Sequence, residues 1–590
     1  MLRYTPPLKD IRFVLTALLD APATLAGFPA FSDIDDALMH QVISEAGRFG
    51  SEVLFPLNAA GDREGARFED GAVRTPAGFA EAYRQFREGG WPGLSCVPED
   101  GGQGLPQLLE CVVYEILNSA NHGWTMYPAL VHGAYACLKR HANEELKARY
   151  LPKIASGEWL PTMCLTEPDA GSDLGRGRTK AVPHDEGGYR ISGTKIFISG
   201  GEHDLTDNIV HLVLARLPDG VPGSKGISLF LVPKFLPDGE RNEVHCAGIE
   251  HKMGLRGSAT CTMQFNAATG WLVGEPHRGL AAMFVMMNAA RLLVGIQGLA
   301  HAETAYQNAL AYSRERLQMR AVNRPAGREN EPADPIVMHP AVQRLLMTQR
   351  AGIEGGRMLA YWTGLLLDTA EHHGDAAERA AANEQLALIT PVVKTILTDQ
   401  GCQGASQALQ VFGGHGFISE TGIEQYSRDA RITTIYEGTN EIQAIDFLMR
   451  KVLSDGGARL NAFLAQIEWT ARDGPQCGFE VKVLGLTQRV RGVMQAIAKA
   501  QPELAYRIAG EALRLAGHCA LAWLWLRAAR IAVERRADDP VFHDAKRDTA
   551  RYYFTYVLPE VEQLFAVIGG CLQGSEADET RFPADLLAGL

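Results

Sequence analysis

Residues 428–443 read RDARITTIYEGTNEIQ, and the carboxylate within this stretch carries the most information about the chain. Glu437 lies between an aromatic residue, Tyr436, and a glycine, Gly438, where a loop leads into an apolar helix that we expect to begin near Ile442. A glycine permits close approach of the backbone to a ligand. A carboxyl group among apolar neighbours is poorly solvated, which raises its pKa towards the range of a general base.

The same stretch also carries the chemistry of an ordinary helix start. Thr439 and Asn440 supply capping oxygens, and Gln443 follows Asn440 by three residues, as in a capping box. Taken alone, the segment therefore fits either a catalytic loop or a capped helix, and other parts of the chain must decide between them.

Bulk properties narrow the class of protein. A chain of 590 residues with 46% hydrophobic and 21% charged residues is globular and long enough for two to four domains. A net charge of −12 argues against nucleic acid as the main partner. We see no apolar run long enough to span a bilayer and no signal peptide at the N-terminus. The ten cysteines are scattered singly, without a C-x-x-C pair. We therefore predict a cytoplasmic protein with no membrane segment and no metal.

Four regions differ in their residue patterns. Residues 1–160 show helical spacing of apolar residues, and residues 161–275 hold short β-rich runs separated by Gly, Pro and Asp turns. Residues 279–455 return to long amphipathic helices. Residues 461–590 form strongly apolar helices with balanced charge, which we interpret as a helical accessory bundle that packs on the main body or on a partner subunit.

Two further motifs lie in the β-rich region. Residues 163–173 read MCLTEPDAGSD, a turn-rich loop whose N–H groups and hydroxyls could equally be a common surface loop or hold an oxygen-rich heterocycle. Residues 195–201 read KIFISGG, which places Phe197 and Ser199 two residues apart on one face of a strand. An aromatic side chain there could cover a ring system while the hydroxyl bonds to its edge.

Together with QVFGGHGF at residues 410–417, these motifs resemble the acyl-CoA dehydrogenase family, over residues 40–455. The resemblance implies an α+β fold: an N-terminal helical domain, a middle β-barrel-like domain and a C-terminal four-helix bundle, here followed by an extra helical domain. The N-terminal segment and the C-terminal block resemble the long subgroup that includes 3-methylmercaptopropionyl-CoA dehydrogenase.

The resemblance also implies a cofactor, FAD, and a role for each matching residue. The catalytic base would be Glu437, which removes the α-proton of an acyl-CoA while the β-hydrogen leaves as hydride to flavin N5. A relative with its base just before the equivalent of Arg291 is excluded, since that position is Ala290. Ser172, Arg291 and Gly438 would bind substrate. The FAD-binding residues would be Met163, Leu165, Thr166, Phe197, Ser199, Arg316, Gln318, Gln410, Gly413, Gly414, Thr439 and Glu441.

Three positions depart from the family pattern. Met319-Arg320 replaces a Phe-Gly pair, Glu441 stands where Gln is frequent, and Asn288 replaces an acidic residue three before Arg291. Each departure bears on a single contact and leaves the expected base in place.

Several alternatives stay open at this point. The expected electron acceptor is an electron-transfer flavoprotein, but an acyl-CoA oxidase-like protein, in which oxygen reoxidises the flavin, has the same motifs. A DNA-binding flavoprotein relative is disfavoured by the acidity of the chain, since DNA affinity comes largely from neutralising phosphates. The acyl group is left open: 3-methylmercaptopropionyl-CoA or another short or medium acyl-CoA. Because Arg316 and Gln318 would reach FAD across a subunit interface, we expect a homodimer.

Overall fold

The computed structural model describes residues 2–184, 188–324 and 327–574. The N-terminal region is helical, as expected, apart from one short hairpin that the sequence patterns did not indicate. Its elements are α1 (Leu8–Arg12), α2 (Ala21–Ala26), α3 (Asp36–Arg48), α4 (Phe55–Glu64), β1 (Arg67–Glu69), β2 (Ala72–Arg74), α5 (Phe79–Glu88), α6 (Gln107–Thr125), α7 (Val131–His141) and α8 (Glu144–Ala155).

The middle region is a closed barrel. Five strands pair in a ring in the order β6-β4-β5-β9-β7, and β7 pairs back to β6; β3 extends the sheet beside β6, and β8 pairs with β9. Strands β6 and β7 are buried along almost their whole length, as expected for continuous apolar runs covered on both faces. The strands are β3 (Trp159–Cys164), β4 (Lys180–Pro183), β5 (Tyr189–Ser199), β6 (Asn208–Arg216), β7 (Ile227–Pro233), β8 (Val244–Ile249) and β9 (Thr260–Val273).

Three long helices and two shorter ones form the next helical region. Helices α9 (Gly279–Glu315), α10 (Pro340–His372) and α11 (Ala376–Phe412) pack on one another, α12 (Glu424–Ala430) follows, and α13 (Asn440–Ile445) continues as a wider helical turn to Val452. The predicted α+β fold class, with its barrel between helical regions, is thus confirmed.

Helix α9 is longer and more apolar than we expected of any segment in this chain. Among the residues that the structure describes, it is the one helix long and apolar enough to cross a membrane, so the statement that no apolar run has this length was wrong. In the most apolar part of this helix 61% of the segment is buried inside the molecule, because α6, α10 and α11 pack around it. A central bundle helix is hydrophobic all round for the same reason that a membrane helix is.

The C-terminal extension packs against this bundle through α17, which contacts α10, α11 and α13. Its helices are α14 (Ala458–Arg472), α15 (Glu480–Ile497), α16 (Pro502–Arg507), α17 (Ala509–Glu534), α18 (Pro540–Tyr552) and α19 (Glu560–Gly574). The extension was predicted for residues 461–590, of which 575–590 lie outside the described residues. The four domain boundaries stay predictions.

A buried ion network joins the two ends of the chain to the bundle. Arg357 on α10 lies 2.6 Å from carboxylate oxygens of both Glu115 and Glu303, and it also contacts Asp10 on α1. Lys546 on α18 contacts the same Asp10. The C-terminal extension is therefore anchored by charge, as well as by apolar packing, to the centre of the molecule.

Candidate active site

Glu437 lies in a loop of unusual backbone conformation. Glu437 and Gly438 have φ angles of +57° and +84°, two consecutive left-handed residues. Left-handed φ is costly for a residue with a side chain, and such strain is concentrated at functional sites. The following helix begins at Asn440, two residues earlier than expected, and its cap is Thr439, whose hydroxyl accepts from the N–H of Ile442 at 3.3 Å.

The predicted capping box was wrong, because its residues form hydrogen bonds with other partners. Gln443 does not return to the helix start; its Nε2 donates to the carbonyl oxygen of Glu437 at 3.0 Å. The side chain of Asn440 accepts from Lys394 Nζ at 2.8 Å and donates to Asp399 at 2.7 Å. The polar residues of this helix start are thus used to hold the strained loop and to join it to α11.

The carboxyl group of Glu437 lies in the interior of the molecule. Its Oε2 atom is buried and has no hydrogen-bond partner among the residues that the structure describes. Burial raises the pKa of this carboxyl to about 7, although the positive charges of Arg291 and Lys394 act in the opposite direction. An unpaired buried carboxyl oxygen is costly unless a ligand group faces it.

Arg291 is a buried cation on α9 beside Glu437. Burial lowers the pKa of its guanidinium, while Asp446 and Glu437 act to raise it. Its Nη1 lies 3.8 Å from Asp446 and donates to Asn288 Oδ1 at 3.2 Å. Asn288, one of the departures from the family pattern, therefore still contacts the arginine.

The strand and loop motifs of the barrel meet directly. The N–H of Ile196 donates to the carbonyl oxygen of Thr166 at 2.9 Å, and Lys195 Nζ donates to the carbonyl of Leu165 at 3.0 Å. Beneath them Lys195 pairs with Glu167 at 2.7 Å, both side chains being buried. This places Met163, Leu165, Thr166 and Ser199, all half-buried, along one ledge with Phe197.

Phe197 stands out from this ledge. The strand has a β-bulge between Lys195 and Ile198, and Phe197 has a φ of +60° and is 58% exposed, whereas the next residue, Ile198, is buried. A strained backbone that turns a large aromatic ring outward suits a planar heterocycle that packs against that ring. The ledge therefore fits the isoalloxazine ring of FAD.

A second group of expected FAD residues lies at the other end of α9. Arg316 follows the last residue of α9, twenty-five residues after Arg291, which is about 37 Å along the helix axis. Near it, Tyr312 stacks on Phe412 with ring centroids 4.3 Å apart, which brings Gln410, Gly413 and Gly414 close to the end of α9. Arg316, Gln318, Gln410, Gly413 and Gly414 are all exposed. This group is too far from Arg291 for both to surround the same end of one cofactor.

The remaining site candidates occupy the surface. Ser172 is exposed in the loop after β3, and Glu441 is exposed in the first turn of α13. The pKa of Glu441 is lowered, chiefly by its own backbone N–H and then by the Thr439 hydroxyl. Met319, the departure beside Gln318, has a φ of +55°, and its carbonyl accepts from the N–H of Asp334 at 2.8 Å.

Three residues that hold the loop were not predicted from the sequence: Lys394, Gln297 and His122. Lys394 Nζ donates to the carbonyl oxygen of Gly438 at 3.0 Å, and Tyr436 donates its hydroxyl proton to Gln297 Oε1. His122 Nε2 lies 3.3 Å from the same hydroxyl. A signal existed for Lys394 alone: it is a single charge in the apolar run LALITPVVKTILT, and a lysine is rarely buried without a partner.

A closed barrel between helical bundles, with a buried unpaired carboxyl oxygen in one loop and an outward aromatic ring on the barrel, is the arrangement of a class of oxidoreductases. Four family descriptions match in chain order: acyl-CoA dehydrogenase N-terminal domain at 40–158, middle domain at 162–268, C-terminal domain at 277–452, and acetyl-CoA dehydrogenase C-terminal like at 480–571. The chain belongs to the acyl-CoA dehydrogenase family, whose cofactor is FAD.

Relatives extend over almost the whole chain. The chain is 44% identical to 3-methylmercaptopropionyl-CoA dehydrogenase of Ruegeria pomeroyi, covering 94% of this chain and 96% of the relative. It is 34% identical to the broad-specificity linear acyl-CoA dehydrogenase FadE5 of Mycobacterium tuberculosis, over 95% of this chain and 96% of that protein. A solved acyl-CoA dehydrogenase from Bacillus anthracis complexed with FAD has the same fold, with a TM-score of 0.73 at 21% identity, covering 95% of this chain and 91% of that chain. The expected long subgroup is confirmed.

Proposed function

We propose that this protein is an FAD-dependent dehydrogenase that introduces an α,β double bond into an acyl-CoA, with Glu437 as the base. The observation that carries the proposal is the buried Oε2 of Glu437, without a protein partner, in a strained loop. A pKa of about 7 suits general-base catalysis, since such a base is substantially ionised near neutral pH and still binds a proton strongly.

The residues of the chain account for the proton half of the reaction. Glu437 takes the proton from the α-carbon, and the electron pair left behind forms the double bond as a hydride leaves the β-carbon. FAD, when bound, accepts that hydride. Arg291 and Lys394 keep enough positive charge near Glu437 for it to ionise, and Gly438 leaves room for the thioester.

The cofactor and substrate contacts follow the family pattern. We assign the flavin ring to Met163, Leu165, Thr166, Phe197 and Ser199, with Thr439 and Glu441 close by, and the CoA portion to Ser172. The geometry of the ledge around Phe197 supports the first assignment. The exposed position of Ser172 supports the second, because it leaves the hydroxyl accessible to a ligand.

The second group of FAD residues supports a homodimer. Because Arg316 lies about 37 Å along α9 from Arg291, we assign Arg316, Gln318, Gln410, Gly413 and Gly414 to the FAD of a second copy of the chain. The same surface exposes large apolar side chains: Leu317, Met319, Val322, Phe417 and Ile418. Exposed apolar residues around a shared site are typical of a subunit interface.

The substrate that we propose to test first is 3-methylmercaptopropionyl-CoA, with short and medium straight-chain acyl-CoAs as the next candidates. The identity of 44% to the Ruegeria pomeroyi protein favours the thioether, and the 34% identity to FadE5 favours linear chains. We propose an electron-transfer flavoprotein as the electron acceptor, and a cytoplasmic location.

An anaerobic titration of the purified holoenzyme with these acyl-CoAs, followed by the visible flavin band, tests the proposal. Bleaching by one thioester in the wild type, and its loss in Glu437→Gln, is the expected result. A yellow protein that no acyl-CoA bleaches would refute the proposed activity. An aerobic peroxide assay distinguishes a dehydrogenase from an oxidase-like enzyme, since only the latter forms hydrogen peroxide at the rate of substrate use.

A further inference from the structure

The loop that carries Glu437 is held through its backbone carbonyl groups. The carbonyl oxygen of Glu437 accepts from Gln443 and that of Gly438 accepts from Lys394, each at 3.0 Å. The two donors come from different helices, α13 and α11. Since both residues have left-handed φ angles, these two bonds fix the orientation of the peptide planes on either side of Gly438 in a conformation that the chain would not otherwise favour.

Using the charged side chain of Lys394 for this contact costs free energy, because the ammonium group must be buried. Its side chain is fully buried on α11, and its second bond, to Asn440 Oδ1 at 2.8 Å, joins the start of α13 to the same nitrogen. Burial lowers the pKa of its ammonium to about 8. A neutral donor such as Gln could make one bond to a carbonyl at lower cost, so the charge itself needs an explanation.

We propose that Lys394 is a positioning residue for the proton-transfer step, holding the Glu437 loop through Gly438 and supplying a positive charge that keeps Glu437 ionised. The proposal rests on the proposed function, in which Glu437 is the base. Lys394 itself does not touch the substrate; it acts through the loop and through the field at the carboxylate.

The surrounding charges are consistent with this role. Arg291 on α9 is the other cation that favours the ionised form of Glu437, and it carries the larger effect. Asp399 on α11 and Glu441 on α13 face Lys394 as anions and favour its charged form. Removing the charge of Lys394 therefore leaves Arg291 as the one remaining stabiliser, among the described residues, of a carboxylate whose pKa is already raised by burial.

The test compares Lys394→Met with wild type and with Thr395→Val. Thr395 is the next residue on α11, is buried, and has a hydroxyl without a partner among the described residues, so its replacement controls for a change in the same helix. We expect Lys394→Met to slow flavin reduction by about 10- to 100-fold, as small misplacements of a catalytic group do, with KM nearly unchanged. The acidic limb of the pH profile of Lys394→Met should move to higher pH. Thr395→Val should change neither the rate of flavin reduction nor the acidic limb.

A readout that needs no turnover is amide hydrogen exchange over residues 436–441. We expect faster exchange in Lys394→Met than in wild type or Thr395→Val, because a bond to the loop is lost. Unchanged reduction rate, acidic limb and exchange in a folded variant would overturn the inference. Should the methionine variant fail to fold, Lys394→Gln, which keeps a donor without the charge, tests the charge alone: the acidic limb should still move to higher pH, and an unmoved limb would overturn the inference. If no acyl-CoA bleaches the flavin of the wild type, the proposed function is refuted. If the wild type is bleached and Lys394→Met behaves like it in all three measurements, only the role of Lys394 is refuted.

Discussion

Lys195 Nζ lies 2.7 Å from Glu167 Oε1, a salt bridge whose two side chains are 2% and 8% exposed. The pair joins the MCLTEPDAGSD loop to the strand that carries Phe197. Burial opposes the charge on Glu167, but contact with Lys195 and hydrogen bonds from the backbone N–H groups of Arg178 and Thr179 lower its pKa overall. The position of the loop against this strand thus depends on the buried pair of Lys195 and Glu167.

We predict that Lys195→Met destabilises the protein by about 3–5 kcal/mol, because it leaves Glu167 buried and unpaired. FAD retention should fall as well, since Lys195 also bonds to the carbonyl of Leu165. Urea denaturation and the ratio of flavin to protein absorbance measure the two effects. Lys180→Met, on an exposed position of β4, is the control and should alter neither.

The pH dependence of flavin reduction should follow the ionisation of Glu437. The carboxyl must be deprotonated to accept the α-proton, and its pKa is raised by burial to about 7. The rate of bleaching by a saturating acyl-CoA should therefore rise as pH increases through about 7 and level off above it. Stopped-flow measurements between pH 5.5 and 9 (roughly the range in which such a group titrates) would show this. A rate independent of pH over that range would argue against Glu437 as the base.

The order of helical and β-rich regions was accessible from the sequence because it depends on local spacing of apolar residues. The barrel and the candidate base Glu437 came from the family resemblance, which rests on short motifs of adjacent residues such as Tyr436-Glu437-Gly438. The contact of Lys394 with Gly438 was not accessible, since it joins residues on two helices that meet only in the folded bundle. Gln443 was misassigned for a related reason: its spacing matches a capping box, but the strained carbonyl of Glu437 is the acceptor that it reaches.

Two other features depended on tertiary context. The bulge that turns Phe197 outward shifts the register of β5 against β9, which strand alternation cannot indicate. Helix α9 satisfies the length and composition of a membrane span, and only its neighbours explain its apolar surface.

Glu437→Gln should abolish activity and yet stabilise the folded protein. Loss of a general base lowers the rate by about 10²- to 10⁴-fold. The folded pKa of about 7 exceeds that of an unfolded glutamate, so stability is lost as pH rises from the unfolded pKa through the folded one. The glutamine variant has no such loss, and at pH 8 it should be more stable by at most about 3 kcal/mol.

Denaturation of both proteins at pH 5 and pH 8 measures this effect. The gain of Glu437→Gln should shrink at the lower pH, where wild-type Glu437 is already protonated in the folded state. Glu420→Gln, at an exposed position, is the control and should change stability little at either pH. An equal gain at both pH values would point to packing instead of ionisation.

The assignment of Arg316 to a second subunit predicts that FAD binding and dimer formation fail together. Phe417 is 85% exposed in the single chain, beside the second group of FAD residues. We expect Phe417→Arg to shift sedimentation towards the monomer and to lower FAD occupancy, because a charge cannot be buried in an apolar interface without a partner. Val481→Arg, at an 83% exposed position on α15, is the matched control and should stay dimeric and yellow.

The network around Arg357 predicts that the C-terminal extension is part of the folding unit of the bundle. Arg357 lies within 2.6 Å of both Glu115 and Glu303, so Arg357→Met leaves two buried carboxylates facing each other. We expect a loss of about 3–5 kcal/mol, against less than about 1 kcal/mol for Arg84→Met, whose salt bridges are at the surface. Because Asp10 binds both Arg357 and Lys546, the variant should also expose α18 to proteolysis early in unfolding. Limited proteolysis in dilute urea would test this, and a transition in which the extension stays protected after the bundle has opened would separate the two units.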